Sequence, residues 1–404
     1  MSGENLRRQE VMRLHPSRTH RPASDSKKGL VVAIVAESFL PLVNGVTNSV
    51  LRTAEHMTDR GHEVHIIAPG PGDPTYRGVR VHRVSAIRLP FYRTLSVGYS
   101  TREMRRLLRQ IKPDVVHLAS PAIMGLAATK VCEEIGVPSV AVYQTDLAGF
   151  AQKYGLGLAS RGLWRFLSSI HNRASVTLAP STSAVWDLRH HGVQNVRRWM
   201  RGVNLVQFDP AKRDESLKKT LAPNGEILVG YVGRLAREKG VERLAPLCNV
   251  PGVKILIVGE GPDRRRLVRK LPGATFVGFK SGEDLAKHYA TLDLFVHTGT
   301  DETFCQAIQE ALASGVPVVA PAMGGPIDIV THGVNGYLWT PGVDSTLVGA
   351  VEELVRNRIK REKLATNARP SVSERTWFAL MDELEGHYRA LTQGLAFAYS
   401  GISA

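Results

Sequence analysis

Cysteine is scarce in this 404-residue chain: Cys132, Cys248 and Cys305 are its only three, and they show no metal-type spacing. An odd count cannot form an even disulfide framework, so a reducing cytoplasm fits, with Cys132 and Cys248 read as small buried hydrophobes. Long hydrophobic runs are missing too. No stretch of 18 or more apolar residues occurs, which excludes an ordinary transmembrane helix. The first 28 residues are polar and basic and lack the apolar stretch of a secretory signal, so a disordered tail is expected over 1–28. Aromatic residues amount to 6% of the chain, and neither a zinc pattern nor a stacked-aromatic RNA motif accompanies the basic residues. Those absences weigh against nucleic acid as a partner.

What is present is the composition of a globular protein, 43% hydrophobic and 22% charged, long enough for two or three domains. The net charge of +15 is unevenly spread. Residues 1–206 hold 28 of the 52 basic and 14 of the 37 acidic residues, so that half carries +14 and the remainder +1. A charge so divided points the first half toward a polyanion, either an anionic membrane or nucleic acid.

The apolar run "LVVAIVA" at 30–36 has strand length, and Asn44-Gly45 opens a helical pattern carrying Val46, Val50, Ala54 and Met57 on one face. Gly61 and "HEVHIIAP" complete a βαβ unit. The alternation continues through a basic helix near 101–111, "PDVVHLAS", a helix over 122–135 and "PSVAVYQT". It breaks near 196–225 and restarts with "EILVGYVG", a helix after Gly240, "VKILIVGEG", "ATFVGF", "EDLAKHYATL", "DLFVHTG" and "VPVVAP". The fold class is therefore α/β, with two doubly wound Rossmann-like domains facing across a cleft lined by strand carboxyl ends. The expected boundaries are 29–206 for the acceptor- and membrane-facing domain and 207–373 for the nucleotide domain. Residues 374–404 carry a helix that crosses back to the first domain.

Several motifs carry chemistry. In "GYVGRLAREKG", Arg234 and Lys239 follow a strand end between glycines, where they can converge on a diphosphate; alone, such a pair is more often a solvated basic loop. Gly259 and Gly261 in "VGEGP" begin a dinucleotide fingerprint, but Arg264 replaces its third glycine, so only a close backbone approach or a sharp turn is indicated. In "TGTDETFCQAIQEALASG", Thr303 with Gln306 has capping-box spacing, which starts a helix near Phe304 and leaves Glu302 just ahead of its amino end. Glu310 then lies about 12 Å along the axis. Two carboxylates that far apart cannot share a proton or a metal but can hold two sugars of one elongated ligand; by base rate they are two unrelated surface charges. Asp146 in "YQTDLAGF" stands beyond a strand as a catalytic carboxylate or as a cap. Helix 101–111 sets Met104, Leu107, Leu108 and Ile111 against Arg102, Arg105, Arg106, Arg109 and Lys112. With "IRLPFYRTL" before it, it reads as a membrane-surface patch or as an ordinary solvated helix.

Taken in order from Leu30 to Leu391, these stretches resemble the retaining glycosyltransferases of family 4, which have the GT-B architecture. Glu302-x7-Glu310 is the most specific element, followed by Gly233-Arg234 with Lys239, "GVNLVQFDP", "VGEGP" and "GVPVVAPAMGGPIDIVTHGVNGYL". The departures are Asn44-Gly45 in place of a glycine pair, Asn204 and Asp328 at two usually different acidic positions, and Asp146 where many members have histidine. The resemblance implies that Arg234 and Lys239 neutralise a nucleotide diphosphate, that Glu310 holds the ribose, and that Glu302 holds the transferred sugar. It also implies amide donors at Phe304 and Cys305, donor contacts from Thr303, Asn44, Gly45, Gly259 and Gly261, and a catalytic role for Asp146. No Asp-x-Asp element occurs, so no obligate metal or other cofactor is expected beyond the sugar-nucleotide donor. The first half looks most like actinobacterial GDP-mannose-dependent mannosyltransferases acting on lipid acceptors, while a neighbouring branch uses UDP-sugars. The implied enzyme works in the cytoplasm on the membrane surface, with a nucleotide sugar, a lipid acceptor and anionic lipid as partners. A UDP-sugar or a soluble acceptor is the alternative, and a non-catalytic Rossmann protein is a third.

Overall fold

The structure is a computed structural model that describes residues 29–42, 44–89, 92–98, 100–144 and 157–394. The tail expected over 1–28, Asp146 and part of "IRLPFYRTL" lie outside the described residues.

The first unit begins with β1 (Val31–Ala36), α1 (Gly45–Asp59), β2 (Glu63–Pro69), β3 (Thr75–Tyr76) and β4 (Val79–Val84). A separate antiparallel ribbon follows, β5 (Ala86–Leu89) with β6 (Tyr92–Gly98). Then come α2 (Thr101–Ile111), β7 (Val115–Ala119), α3 (Ile123–Ile135), β8 (Ser139–Val142), α4 (Gly157–Arg173), β9 (Val176–Ala179), α5 (Thr182–His190) and β10 (Val196–Arg198). The main sheet has the order β10-β9-β8-β7-β1-β2-β4-β3 and is parallel except at its β3 edge. The run "VVAIVA" is apolar throughout because helices cover both faces of β1. Val32, Ile34 and Ala36 pack in the core with α1, while Ala33 and Val35 pack with α2 and α3.

The second unit contains α6 (Glu215–Leu221), β11 (Ile227–Val232), β12 (Val253–Val258), α7 (Arg264–Lys270), β13 (Thr275–Gly278), α8 (Gly282–Thr291) and β14 (Leu294–Val296). It continues with α9 (Gln306–Ala313), β15 (Val318–Pro321), β16 (Gly336–Trp339), α10 (Asp344–Arg356) and α11 (Arg358–Ala368). Its six strands run in parallel, in the order β13-β12-β11-β14-β15-β16. The helix expected after Gly240 is instead a 3-10 helix over Val241–Asn249. Pro246 lies inside it, and a proline there removes the hydrogen bond that an α-helix needs.

That 3-10 helix packs on one face of the sheet with Val229 and Tyr231, and α9 packs on the other with Leu228 and Val232. The chain therefore leaves neighbouring strands β11 and β14 toward opposite faces. That is the switch point at whose carboxyl ends doubly wound sheets bind ligands, and it marks the candidate site.

The last helix, α12 (Trp377–Thr392), buries Leu380, Met381, Leu384 and Tyr388 in the first unit's core beside α1. Each such side chain contributes about 1.5–3 kcal/mol of burial before entropy is subtracted. A second tie is polar. Asp328 of the second unit accepts hydrogen bonds from the Thr182 amide (2.6 Å) and hydroxyl (2.7 Å) at the start of α5 in the first. Asn204, the other altered family position, accepts from the Val206 and Gln207 amides and fixes the turn into the second unit.

Candidate functional site

Arg234 and Lys239 stand on the loop that leaves β11, and Glu302 stands on the loop that leaves β14. The two loops meet: the Lys239 ammonium lies 2.6 Å from Glu302 Oε1. The His297 Nε2 approaches the same oxygen at 3.2 Å. Burial alone would raise the Glu302 carboxyl, but the His297 imidazole and the Lys239 ammonium outweigh it and hold the group at about 2. Burial likewise opposes charge on His297, and contact with Cys305 and Glu302 shifts it upward instead. Arg234 is exposed, and among the described residues it has no ion-pair partner. The site thus holds a fixed carboxylate, two cations bound to it, and one free guanidinium at the rim.

The glycines of "VGEGP" serve this loop from below. A Cβ on Gly259 would sit 1.9 Å from the Gly233 carbonyl oxygen, and one on Gly261 would sit 2.2 Å from the Leu235 carbonyl oxygen. On the Cβ side of both glycines the close neighbour is backbone. The Leu235 amide donates to Glu260 O (2.9 Å) and the Asp263 amide to Leu235 O (3.0 Å), so this corner sets the path of the Arg234 loop. Gly259 also has φ +141°, so Gly259→Ala adds backbone strain to the clash. That variant is expected to lose about 1–3 kcal/mol of stability and to weaken nucleotide binding with Arg234 itself intact. Thermal melts with and without nucleotide would measure both effects; a variant matching wild type in both would contradict this role.

The helix start differs from the capping-box expectation. α9 begins at Gln306, and its N-cap is Cys305 with φ 80° and no side-chain cap, so Thr303 does not cap it. The reason lies outside the helix. The Gly325 amide bonds to the Glu302 carbonyl at 2.7 Å, and a Cβ on Gly325 would sit 2.3 Å from the Phe304 carbonyl oxygen. Residues 302–305 are thereby held against the Gly324-Gly325 backbone and kept out of the helix. The helical rise assumed between Glu302 and Glu310 does not apply to those residues. Gln306 bonds instead to the Gly202 carbonyl (3.0 Å), and Gln309 bonds to the Arg201 carbonyl (3.0 Å).

Those two bonds bring in a residue that sequence reasoning missed. Arg201 donates to the Gly45 carbonyl at 3.0 Å and also faces Glu310. It joins the start of α1, where Asn44 caps through the Thr47 amide (2.9 Å), to the Glu310 carboxylate of the second unit. Burial pushes Glu310 up to about 7, against Tyr289, Arg201 and Gln306, which favour its charged form. His297 was missed as well. Its only signal was a titratable residue at the end of the apolar run "DLFVH", as Arg201's was a basic residue directly before Gly202-Val203.

The basic helix is not part of this site. Met104, Leu107 and Leu108 of α2 are buried against the first sheet, so its apolar side is core and offers no surface to a membrane. Arg105 is bonded to Glu134 at 2.7 and 2.8 Å, leaving Arg102, Arg106 and Arg109 exposed. Among the described residues, no helix is long and apolar enough to cross a membrane. Two groups place metal-type donor atoms within 4.8 Å of one another, His297/Glu302/Cys305 and His56/Asp382/Glu385. A cation stands beside each, Lys239 paired with Glu302 in the first and Arg60 with Asp382 and Glu385 in the second.

Residues 43–207 match the family described as Glycosyltransferase Family 4, and residues 212–371 match Glycosyl transferases group 1. The GDP-mannose-dependent alpha-mannosyltransferase of Mycolicibacterium smegmatis is 50% identical over 367 residues, 89% of this chain and 97% of that protein. The protein of the same name from Corynebacterium glutamicum is 44% identical over 382 residues, 92% of each chain. Among solved structures, Anabaena HepE in complex with UDP superposes with a TM-score of 0.76 at 20% identity, over 89% of this chain and 100% of that one. That last likeness shows the two-domain fold.

Proposed function

This chain belongs to glycosyltransferase family 4, and from that premise we propose that it transfers mannose from GDP-mannose to a lipid acceptor at a membrane surface, with retention of anomeric configuration. The observation that carries the reading is the meeting of Lys239 and Glu302 where the loops leaving β11 and β14 converge, with Arg234 on the same loop as Lys239 and Glu310 beyond on α9. The mannosyl donor is supported by relatives 44–50% identical over nearly their full length.

In this reading the diphosphate lies against Arg234 and Lys239, the ribose hydroxyls against Glu310, and the mannose hydroxyls against Glu302. As the bond from the anomeric carbon to phosphate breaks, positive charge grows on the sugar and negative charge on the leaving phosphate. Fixed cations at that phosphate stabilise the transition state more than the ground state. The acceptor hydroxyl attacks from the face the phosphate leaves, and its proton passes to a phosphate oxygen. No enzymic nucleophile is required. Glu302 is already paired with two cations, hydrogen-bonded to Lys239 and approached by His297, which suits it to hold hydroxyls rather than to attack.

The lipid acceptor is supported by the +14 charge of residues 1–206 and by Arg102, Arg106 and Arg109 exposed on α2. With the apolar side of α2 in the core, attraction to anionic lipid is electrostatic, about 1 kcal/mol per basic residue near the surface, and salt weakens it. The test is nucleotide release from a panel of GDP- and UDP-sugars, with membrane lipids as acceptors, in buffer containing EDTA. GDP-mannose is expected to be consumed, with labelled mannose appearing in the lipid fraction. Preference for a UDP-sugar, label only in soluble products, or a requirement for added metal would each overturn the corresponding part.

A further inference from the structure

Glu302 Oε1 is engaged twice, by Lys239 Nζ at 2.6 Å and by His297 Nε2 at 3.2 Å. One cation suffices to offset one carboxylate, and burying an imidazole has a cost of its own. His297 is nonetheless 3% exposed and held on three sides. Its amide donates to the Val319 carbonyl (2.8 Å), its carbonyl accepts from Trp339 Nε1 (3.2 Å), and its ring stacks on Tyr231 at 6.3 Å and 13°. The main chain is thereby fixed, and the ring lies parallel to Tyr231 with its Nε2 toward Glu302. Gly299 leaves the room for their contact, since a Cβ there would sit 3.1 Å from both Glu302 Oε1 and His297 Nε2.

The two cations differ in freedom. Lys239 stands on the diphosphate loop with a flexible stem, and its side chain is 26% exposed. An arriving diphosphate competes with Glu302 for that ammonium. Whatever share of Lys239 the diphosphate takes is lost to Glu302, and only His297 remains to keep the carboxylate ionised and aimed. Charge follows the same division. Arg234, Lys239 and a protonated His297 against one Glu302 carboxylate leave two positive charges for the two negative charges of a nucleotide-sugar diphosphate.

We propose that His297 is a positioning residue for the transferred sugar: it holds Glu302 Oε1 when Lys239 turns to the diphosphate, so that Oε2 meets the hexosyl hydroxyls. This rests on the donor reading above. The titratable groups facing His297 are Glu302, Cys305 and Tyr231, with Lys239 on the same Glu302 oxygen, and Glu302 is the carboxylate among them.

The probes are GDP and GDP-mannose, titrated by calorimetry into the full chain and its His297→Phe and His297→Gln variants. GDP lacks the sugar, so its affinity is expected to fall clearly less than that of GDP-mannose, and unaltered thermal melts would report that the variants are folded. GDP-mannose affinity is expected to fall about tenfold in His297→Phe, the scale of one charge-assisted contact, and to recover largely in His297→Gln, whose amide still donates. Equal loss of both ligands in the Phe variant would make His297 merely structural and overturn the proposal. So would unchanged GDP-mannose affinity. A wild-type protein that binds GDP but not GDP-mannose would overturn the donor reading, and this inference with it.

Discussion

Arg234→Ala is expected to slow mannosyl transfer by about 10²–10³-fold, the loss seen when one preorganised charge-stabilising donor is removed from a transition state. Nucleotide affinity should fall less, by roughly 1.5–3 kcal/mol, the scale of a hydrogen bond to a charged group. The difference matters, because charge on the leaving phosphate grows as the glycosidic bond breaks. A cation placed there contributes more to the transition state than to binding. The variant is a clean one. Arg234 is exposed and among the described residues pairs with nothing, so its removal leaves no orphaned partner and melting should be unaltered without nucleotide. GDP release by chromatography and GDP affinity by calorimetry are the two measurements. Equal losses in both would mean that Arg234 only binds; no loss would remove it from the site.

Glu310→Ala is expected to weaken GDP binding by about a hundredfold or more, since each hydrogen bond between an ionised group and a ribose hydroxyl contributes roughly 1.5–3 kcal/mol. Its environment adds a pH dependence. Burial raises the Glu310 carboxyl from its ordinary 4.5 to about 7, so the folded, unliganded protein prefers it protonated. A raised carboxyl favours the folded state fully below the unfolded value, and that contribution disappears as pH rises through about 7. Ribose binding runs the other way, because the ionised form is the better acceptor of two hydroxyl hydrogen bonds. GDP affinity should therefore climb by up to about tenfold per pH unit from 5 toward 7 and level off above. Glu302, held at about 2, stays ionised throughout this window and contributes nothing to the slope. Glu310→Gln should give weak, pH-independent binding. A slope that persists in that variant would assign the titration to another group.

How far the sequence reaches can be judged from these same residues. β1 and the α1 start were legible because a continuous apolar run followed by Asn-Gly and a 3.6-residue pattern admits few structures. The Val241–Asn249 turn was misjudged as an α-helix although Pro246 was in plain view, and the start of α9 was misplaced by a capping box that backbone pairing to Gly325 overrides. The α2 stripe was ambiguous by nature. A helix that packs on a sheet and one that lies on a membrane share one amphipathic pattern, and the core claimed this one.

By itself the sequence determined the two-unit α/β architecture and the uneven charge, which depend on local periodicity and composition. It singled out Arg234, Lys239, Glu302 and Glu310 only through the resemblance to family 4. The tertiary structure alone decided that Lys239 and His297 share one oxygen of Glu302, that Gly259 and Gly261 yield to backbone, and that Arg201 spans from Gly45 to Glu310. Apart from His297 and Glu302, which are five positions apart, those contacts join residues that are distant along the chain. Lys239 and Glu302 are brought together where strands β11 and β14 send their helices to opposite faces, a consequence of strand order that no local pattern encodes.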